Sequence, residues 1–328
     1  MLSTKFAVII PVKQINNYVH QTVSVIRESS YKNWELFVVV NEYERNPWEE
    51  VSNIHLIVSG RVGPGRKRDL AAKESTAEFL VFLDDDSFPG DRYFETALEF
   101  VSGRQVDVVC GPGITPKSSG FKQQLSAAPY LSIFAGGNPS RYLSRGIVRQ
   151  VREWPSVNLI VRRLVFIDSG GFDTDYWPGE DTILCMKLQA RMIPIWYQPS
   201  LVVWHHRREG LVAHARQVGA YGLHRGFFLK TMSPSFRELK YALPSIFLAS
   251  ALLMSAIPIF RNGSVWPVLA LAIMYSLLIL LVALEVLMRV GFRVAICAIP
   301  YYAVTHIVYG TQFLRGFLFT RELISRLR

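Results

Sequence analysis

Cysteine is scarce in this chain. Cys110, Cys185 and Cys297 lie far apart in 328 residues, with neither metal-site spacing nor the paired density of a compact secreted domain. A disulfide scaffold is therefore excluded, and reduced, buried thiols are predicted. A secretory leader is also missing: Met1–Lys5 runs straight into a short strand and the polar Lys13–Asn17, which predicts that the large domain stays in the cytoplasm. The formal charge is +10, yet no helix-turn-helix, zinc or aromatic RNA-binding pattern accompanies it, and no nucleic-acid partner is expected. Charge itself becomes rare beyond Lys240, where near-continuous hydrocarbon takes over.

That change in composition divides the chain into a cytoplasmic domain, 1–240, and a membrane region, 241–328. Tyr241–Phe260 and Val265–Met288 each reach the roughly 20 apolar residues that a bilayer core requires. A third stretch, Val294–Phe313, is interrupted by Pro300 and carries His306, so three spans or a broken third helix are expected. Arg207, Arg208, Arg216, Arg225, Lys230, Arg237 and Lys240 precede the first span, whereas only Arg261 lies in the loop after it. This asymmetry orients the large domain toward the cytoplasm and predicts a multi-pass protein of the plasma membrane with membrane lipids as partners.

The soluble half opens with a strand, Phe6–Pro11, then a helical stretch around Tyr18–Ser29 and a second strand, Glu35–Val40. A glycine-rich segment, Gly60–Gly65, leads into Arg66, Lys67 and Arg68 and a helix over Leu70–Ala77. Strand and helix alternate as in an α/β domain with a mostly parallel sheet. The next strand is wholly apolar, Phe79 to Leu83, and runs directly into Asp84, Asp85 and Asp86. A strand apolar on both faces lies in the middle of a sheet, so the acids emerge at its carboxyl end, the edge where such sheets bind ligands. Adjacent carboxylates repel one another unless compensated, and hard oxygen ligands suit Mg²⁺ or Mn²⁺ together with substrate phosphates. An acidic turn capping a following helix is the competing reading. Basic side chains opening a helix suit a diphosphate at its amino end, and a basic surface facing lipid is the alternative there.

Taken in order, Ile9-Ile10-Pro11-Val12, Gly63-Pro64-Gly65 with Lys67-Arg68-Asp69, Leu83-Asp84-Asp85-Asp86 and Trp177-Pro178-Gly179-Glu180-Asp181-Thr182 resemble the family 2 glycosyltransferases. These are inverting enzymes of GT-A fold that use nucleotide-diphosphate sugars. The resemblance covers roughly residues 6–230, and Gln217 to Gly226 is similar to a bacterial, membrane-attached branch. It implies that Asp84 and Asp86 hold a divalent cation with Asp85 between them, that Pro11, Val12, Arg66, Lys67, Arg68 and Asn158 line the nucleotide-sugar site, and that Asp181 is the base, with Glu180 beside it. His205 or His206, following the apolar strand Ile195–Trp204, occupies the place of a metal-proximal histidine, and only one of two adjacent strand residues faces the site. A surface histidine pair, an acidic first turn of a helix at Glu180-Asp181 and an ordinary turn at Asn158 are the structural alternatives.

The chain departs from the family where many members end the second strand with an aspartate on the nucleobase: here stand Asn41 and Glu42. Asn41 donates as well as accepts, which weakens the case for uracil. Trp177 offers an aromatic wall, and Gln217, Tyr221, His224 and Arg225 share a helical face that suits a diphosphate, a lipid-linked or glycan acceptor, or the bilayer itself. The expected activity is transfer of a sugar to a membrane-proximal acceptor in cell-envelope or exopolysaccharide synthesis. A processive polysaccharide synthase is the nearest rival, disfavoured by the few spans and by the lack of a Gln-x-x-Arg-Trp element at Gln217. A nucleotidyltransferase and an inactive membrane scaffold are the rivals from other classes.

Overall fold

The computed structural model describes residues 4–174, 176–232, 239–261 and 265–323. Along the chain run β1 (Phe6–Pro11), α1 (Asn17–Glu28), β2 (Trp34–Val40), β3 (Ile54–Val58), α2 (Pro64–Glu74), β4 (Phe79–Phe82), β5 (Ser87–Pro89), α3 (Tyr93–Arg104), β6 (Val108–Cys110), β7 (Gly113–Ile114) and α4 (Phe121–Ala127). There follow β8 (Arg149–Val151), β9 (Leu159–Arg162), α5 (Arg163–Asp168), α6 (Glu180–Ala190), β10 (Ile195–Tyr197), β11 (Val203–His205), α7 (Leu211–Thr231), α8 (Leu243–Arg261), α9 (Trp266–Val290), α10 (Phe292–Cys297) and α11 (Ile299–Leu318). They fall into two compact units. The first holds the residues up to Pro116 and Ser140–His206, and the second holds Lys117–Pro139 with Arg207–Leu323.

The first unit is an α/β domain with a largely parallel main sheet. Its main sheet has the order β3-β2-β1-β4-β9-β6-β10-β8, and a small second sheet has the order β5-β11-β7. Strands β3, β2, β1 and β4 are parallel, while β9 runs antiparallel between β4 and β6. Both faces are covered, which is why β1 and β4 are apolar at every position. Phe6, Val8 and Ile10 point toward Val19, Val23 and Ile26 of α1, and Ala7 and Ile9 point the other way, toward Ala71 and Ala72 of α2. The helix α1 starts where the Asn16 side chain accepts from the amides of Tyr18 and Val19, at 2.9 and 3.0 Å.

Three local expectations are corrected. Strand β3, alternating Ile54, Leu56 and Val58, is an addition beside β2 and sits at the sheet edge. The helix expected at Leu70–Ala77 begins at Pro64, because proline is favoured in a first turn, and this moves Arg66, Lys67 and Arg68 inside the helix. The single strand expected over Ile195–Trp204 is broken at Pro199-Ser200 into β10 and β11, which belong to different sheets.

The second unit is helical. Glycines let α7 and α11 approach backbone to backbone: a Cβ on Gly222 would lie 2.4 Å from the Tyr309 carbonyl oxygen, and one on Gly226 2.1 Å from that of Phe313. Among the described residues one helix, Trp266–Val290, is long and apolar enough to cross a membrane. The span expected at 241–260 forms α8, Leu243–Arg261, which is apolar over Leu243–Ser255 among the residues whose side chains are described. The third expected span is broken at Ala298 ahead of Pro300, and its longer piece, α11, buries Tyr301, Tyr302, Thr305, His306 and Phe313 within the unit. The segment around α4 is fastened to this unit rather than to the sheet domain. Ser132 Oγ and the Ile133 amide donate to Glu285 of α9, at 2.6 and 3.1 Å, and His306 Nε2 donates to the Phe134 carbonyl at 3.2 Å. The compact boundary therefore falls at His206, ahead of the expected boundary at residue 240, since α7 packs with α11. Arg237 of the basic belt lies outside the described residues. Cys110 and Cys185 are buried as predicted, but Cys297 is exposed on α10.

Candidate active site

Strand β4 delivers the acids to the carboxyl edge of the sheet, and a tight turn holds them there. Ser87 fixes this turn: its Oγ donates to the Asp84 carbonyl at 2.9 Å and accepts from the Asp84 amide at 3.0 Å. Thr22 of α1 donates in turn to the Ser87 carbonyl at 2.7 Å. Strand β11 then pairs with β5, His205 opposite Ser87, and brings its histidine over the acids. One ligand atom each from Asp84, Asp86 and His205 lie within 4.8 Å of one another. His205 Nε2 is 3.0 Å from Asp86 Oδ1. Two carboxylate oxygens and one imidazole nitrogen form a donor set that fits Mn²⁺ or Mg²⁺.

The two histidines separate as alternate strand residues do. His206 turns away, stacks on Tyr18 with ring centres 4.5 Å apart and donates from Nε2 to Gln21 at 3.0 Å. His205 is thus the histidine of the acid cluster, and His206 fastens the end of β11 to α1. Asp85 also turns toward α1, where Asn16 Nδ2 donates to it at 3.1 Å.

The acid pair comes next. Glu180 and Asp181 begin α6, and Glu180 is buried. Burial, with the Asp181 charge beside it, pushes the Glu180 carboxyl up to about 8, although Arg68 opposes the shift. Asp181 is half-buried and accepts from the Thr182 amide at 2.8 Å. Arg68 joins the two acid groups: its Nη2 donates to Asp84 Oδ1 at 2.6 Å and its Nη1 to Glu180 Oε1 at 3.4 Å.

Other expected residues are placed less openly. Lys67 is buried and donates to the carbonyls of Val12 and Val39, so its charge is spent inside the domain, and burial pulls its amine down to about 8. Arg66 is the exposed member of the basic triplet. Asn158 is fully buried, donates to the carbonyls of Pro112 and Leu201 at 3.1 and 2.7 Å and accepts from Tyr93 at 2.9 Å. Its amide donors are both used, which makes it a strand-end pin rather than a group presented to a ligand. Asn41 is buried at the end of β2 beyond Pro11 and Val12, while the exposed Glu42 pairs with Arg61 at 2.8 Å. Trp177 is half-buried ahead of α6. Gln217, Tyr221, His224 and Arg225 belong to α7 in the second unit. Gln217 donates to Tyr221 at 3.2 Å, His224 is buried and hydrogen-bonded to the Ala220 carbonyl at 2.9 Å, and Arg225 lies 4.4 Å from the Tyr241 ring centre.

Sequence reasoning missed Asn16, Ser87 and the pair Asp69 and Lys187. Asp69 accepts from the amides of Phe172 and Asp173 at 2.8 and 2.9 Å, and Lys187 donates to the carbonyls of Gly170, Gly171 and Phe172. Together they hold the glycine turn ahead of the acid pair. Gly171 has φ +55°, and a Cβ there would meet Asp69 Oδ1 at 2.5 Å.

The family model described as glycosyl transferase family 2 matches residues 7–154. The pre-mycofactocin glycosyltransferase of Mycobacterium tuberculosis, strain CDC 1551 / Oshkosh, is 28% identical over 161 residues, 49% of this chain and 33% of that protein. The match thus spans about a third of that relative's length. Among solved structures, a mannosyltransferase from Pyrobaculum calidifontis in complex with GDP-Man and Mn²⁺ aligns with a TM-score of 0.63 at 15% identity, covering 97% of this chain and 88% of that one. GalNAc-T7 with UDP, GalNAc and Mn²⁺ aligns with a TM-score of 0.50 at 12% identity, covering 73% of this chain and 53% of that one. Both likenesses are likenesses of fold.

Proposed function

We propose that the chain, which the glycosyl transferase family 2 model matches over residues 7–154, is a metal-dependent, inverting glycosyltransferase, held at the membrane by α9, that acts on a membrane-proximal acceptor. The observation that carries this reading is the convergence of Asp84, Asp86 and His205 at the sheet edge, with Arg68 linking Asp84 to Glu180 next to Asp181. Asp84, Asp86 and His205 would hold a divalent cation, which would supply Lewis-acid stabilisation to a departing nucleoside diphosphate. Asp181 takes the proton of the acceptor hydroxyl as that oxygen bonds to the anomeric carbon and the carbon–phosphate oxygen bond breaks, the electron pair leaving with the diphosphate. One base and one displacement suffice.

The nucleotide rests on the ends of β1 and β2, against Pro11, Val12 and Asn41, with Glu42 at the rim. Arg66 is the basic residue offered to the diphosphate. Gln217 and the exposed Tyr221 present the acceptor side of α7, and a lipid-linked or glycan acceptor suits a helical unit that contains an apolar span. The setting is synthesis of envelope or extracellular polysaccharide.

The test is a panel of nucleotide sugars against the purified full chain in detergent, with Mg²⁺ or Mn²⁺, scored by thermal shift and by the nucleoside diphosphate released. One donor stabilises the protein only with metal and releases nucleoside diphosphate. Release of pyrophosphate instead makes the protein a nucleotidyltransferase, and no binding by any donor–metal pair overturns the reading. Asp181→Asn retains donor binding and loses about 10²–10⁴-fold in turnover.

A further inference from the structure

Arg68 is 1% exposed, and a charge taken that far out of water persists only when paired. Its two partners lie far apart in the sequence. Asp84 follows β4, 16 residues on, and Glu180 opens α6, 112 residues on. The contacts are unequal, 2.6 Å to Asp84 and 3.4 Å to Glu180, and they use different terminal nitrogens of one rigid, planar fork. The Phe172 ring lies 5.3 Å from the guanidinium carbon and closes its third side. One turn earlier on α2, a Cβ on Gly65 would lie 3.1 Å from Phe172 Cβ and 3.4 Å from Glu180 Cβ, so α2 and the start of α6 are in direct contact. One residue later, Asp69 holds the amides of Phe172 and Asp173. A single helix therefore grips the acid turn with one side chain and the approach to Glu180-Asp181 with two.

We propose that Arg68 is a positioning residue that couples cation binding at Asp84, Asp86 and His205 to the placement of the Glu180-Asp181 turn. The proposal rests on the reading of those three residues as the metal centre and of Asp181 as the base. Asp84 gives Oδ1 to Arg68. When its carboxylate also faces a dication, its charge is divided, and the guanidinium shifts its pairing toward Glu180, the longer and looser arm. Glu180 is one residue from Asp181, so the base is drawn into place when the donor's metal is present. Lysine cannot do this, because a point charge on a flexible stem does not hold two carboxyl groups at fixed angles.

The experiment is amide hydrogen exchange on the full chain in detergent, with Mn²⁺ alone and then with Mn²⁺ plus UDP or GDP, alongside direct measurement of Mn²⁺ binding by calorimetry. In the wild-type protein Mn²⁺ alone slows exchange several-fold across residues 176–184. Arg68→Lys still binds Mn²⁺ but loses that protection, and Glu180→Gln, which acts from the other end and leaves Arg68 in place, loses it too. The double variant loses no more than either single one. In turnover, Arg68→Lys lowers kcat about 10²-fold while the donor KM changes by no more than a few-fold. Full protection in either single variant overturns the proposal, as does Mn²⁺ binding to the wild-type protein without any protection. The nucleotide arm is separate: protection by Mn²⁺ with no added effect of UDP or GDP leaves the coupling standing and counts against the sugar-transfer reading.

Discussion

Glu180 is one residue through which pH acts on the first unit. Its carboxyl is raised from an ordinary value near 4.5 to about 8, so the folded chain binds a proton there that the unfolded chain has released. Stability from this group is complete below about pH 4.5 and is lost as pH rises through about 8. Denaturant unfolding between pH 5 and pH 8.5 is expected to show this decline, and Glu180→Gln to flatten it. The two histidines make a second contrast. His205→Ala is expected to weaken Mn²⁺ binding at least about tenfold, measured by calorimetry. His206→Ala, which loses Tyr18 and Gln21, affects the metal less and the stability of the β11 end more. The acids were legible in the sequence because an apolar strand ending in carboxylates has few other uses. The choice between His205 and His206 was not, since it depends on the register of β11 against β5, and the partners of Arg68 were not, since they lie 16 and 112 residues away.

At the scale of the element, the crossing of α7 and α11 depends on the absence of side chains. Gly222→Val and Gly226→Val would press a Cβ into a backbone carbonyl that cannot yield. Each is expected to cost about 1–3 kcal/mol or more, read as a lower unfolding temperature of the full chain. Gly219→Ala meets only side-chain atoms, Val308 Cγ1 at 3.1 Å and Gln312 Cγ at 3.5 Å, and is expected to be far milder. Strands β1, β2 and β4 were legible because buried parallel strands read as continuous apolar runs. Strand β3 escaped notice because it is a short, partly exposed edge strand, and α2 was started late because the glycines around Pro64 read as a loop.

At the scale of the molecule, α9 is the one helix among the described residues long and apolar enough to cross a membrane, and the membrane attachment proposed above is tested there. Leu280→Arg places a charge on its exposed apolar surface at a cost of about 2.5–3.5 kcal/mol near the centre of a span. The variant is expected to shift the full chain from the membrane pellet toward the soluble fraction on flotation. Composition revealed the apolar region 241–328 but not which upstream residues belong with it. Residues 117–139 carry no signal that they fold with helices more than a hundred positions later, because the bonds to Glu285 and His306 are single side-chain contacts. That interleaving governs how the gene can be cut. A stop codon after His206 removes α9 and α11 yet keeps the segment that leans on them, leaving Ser132, Ile133 and Phe134 with hydrogen bonds to partners no longer translated. Anyone seeking a crystallisable, detergent-free fragment should therefore replace 117–139 with a short linker as well as trimming the carboxyl end.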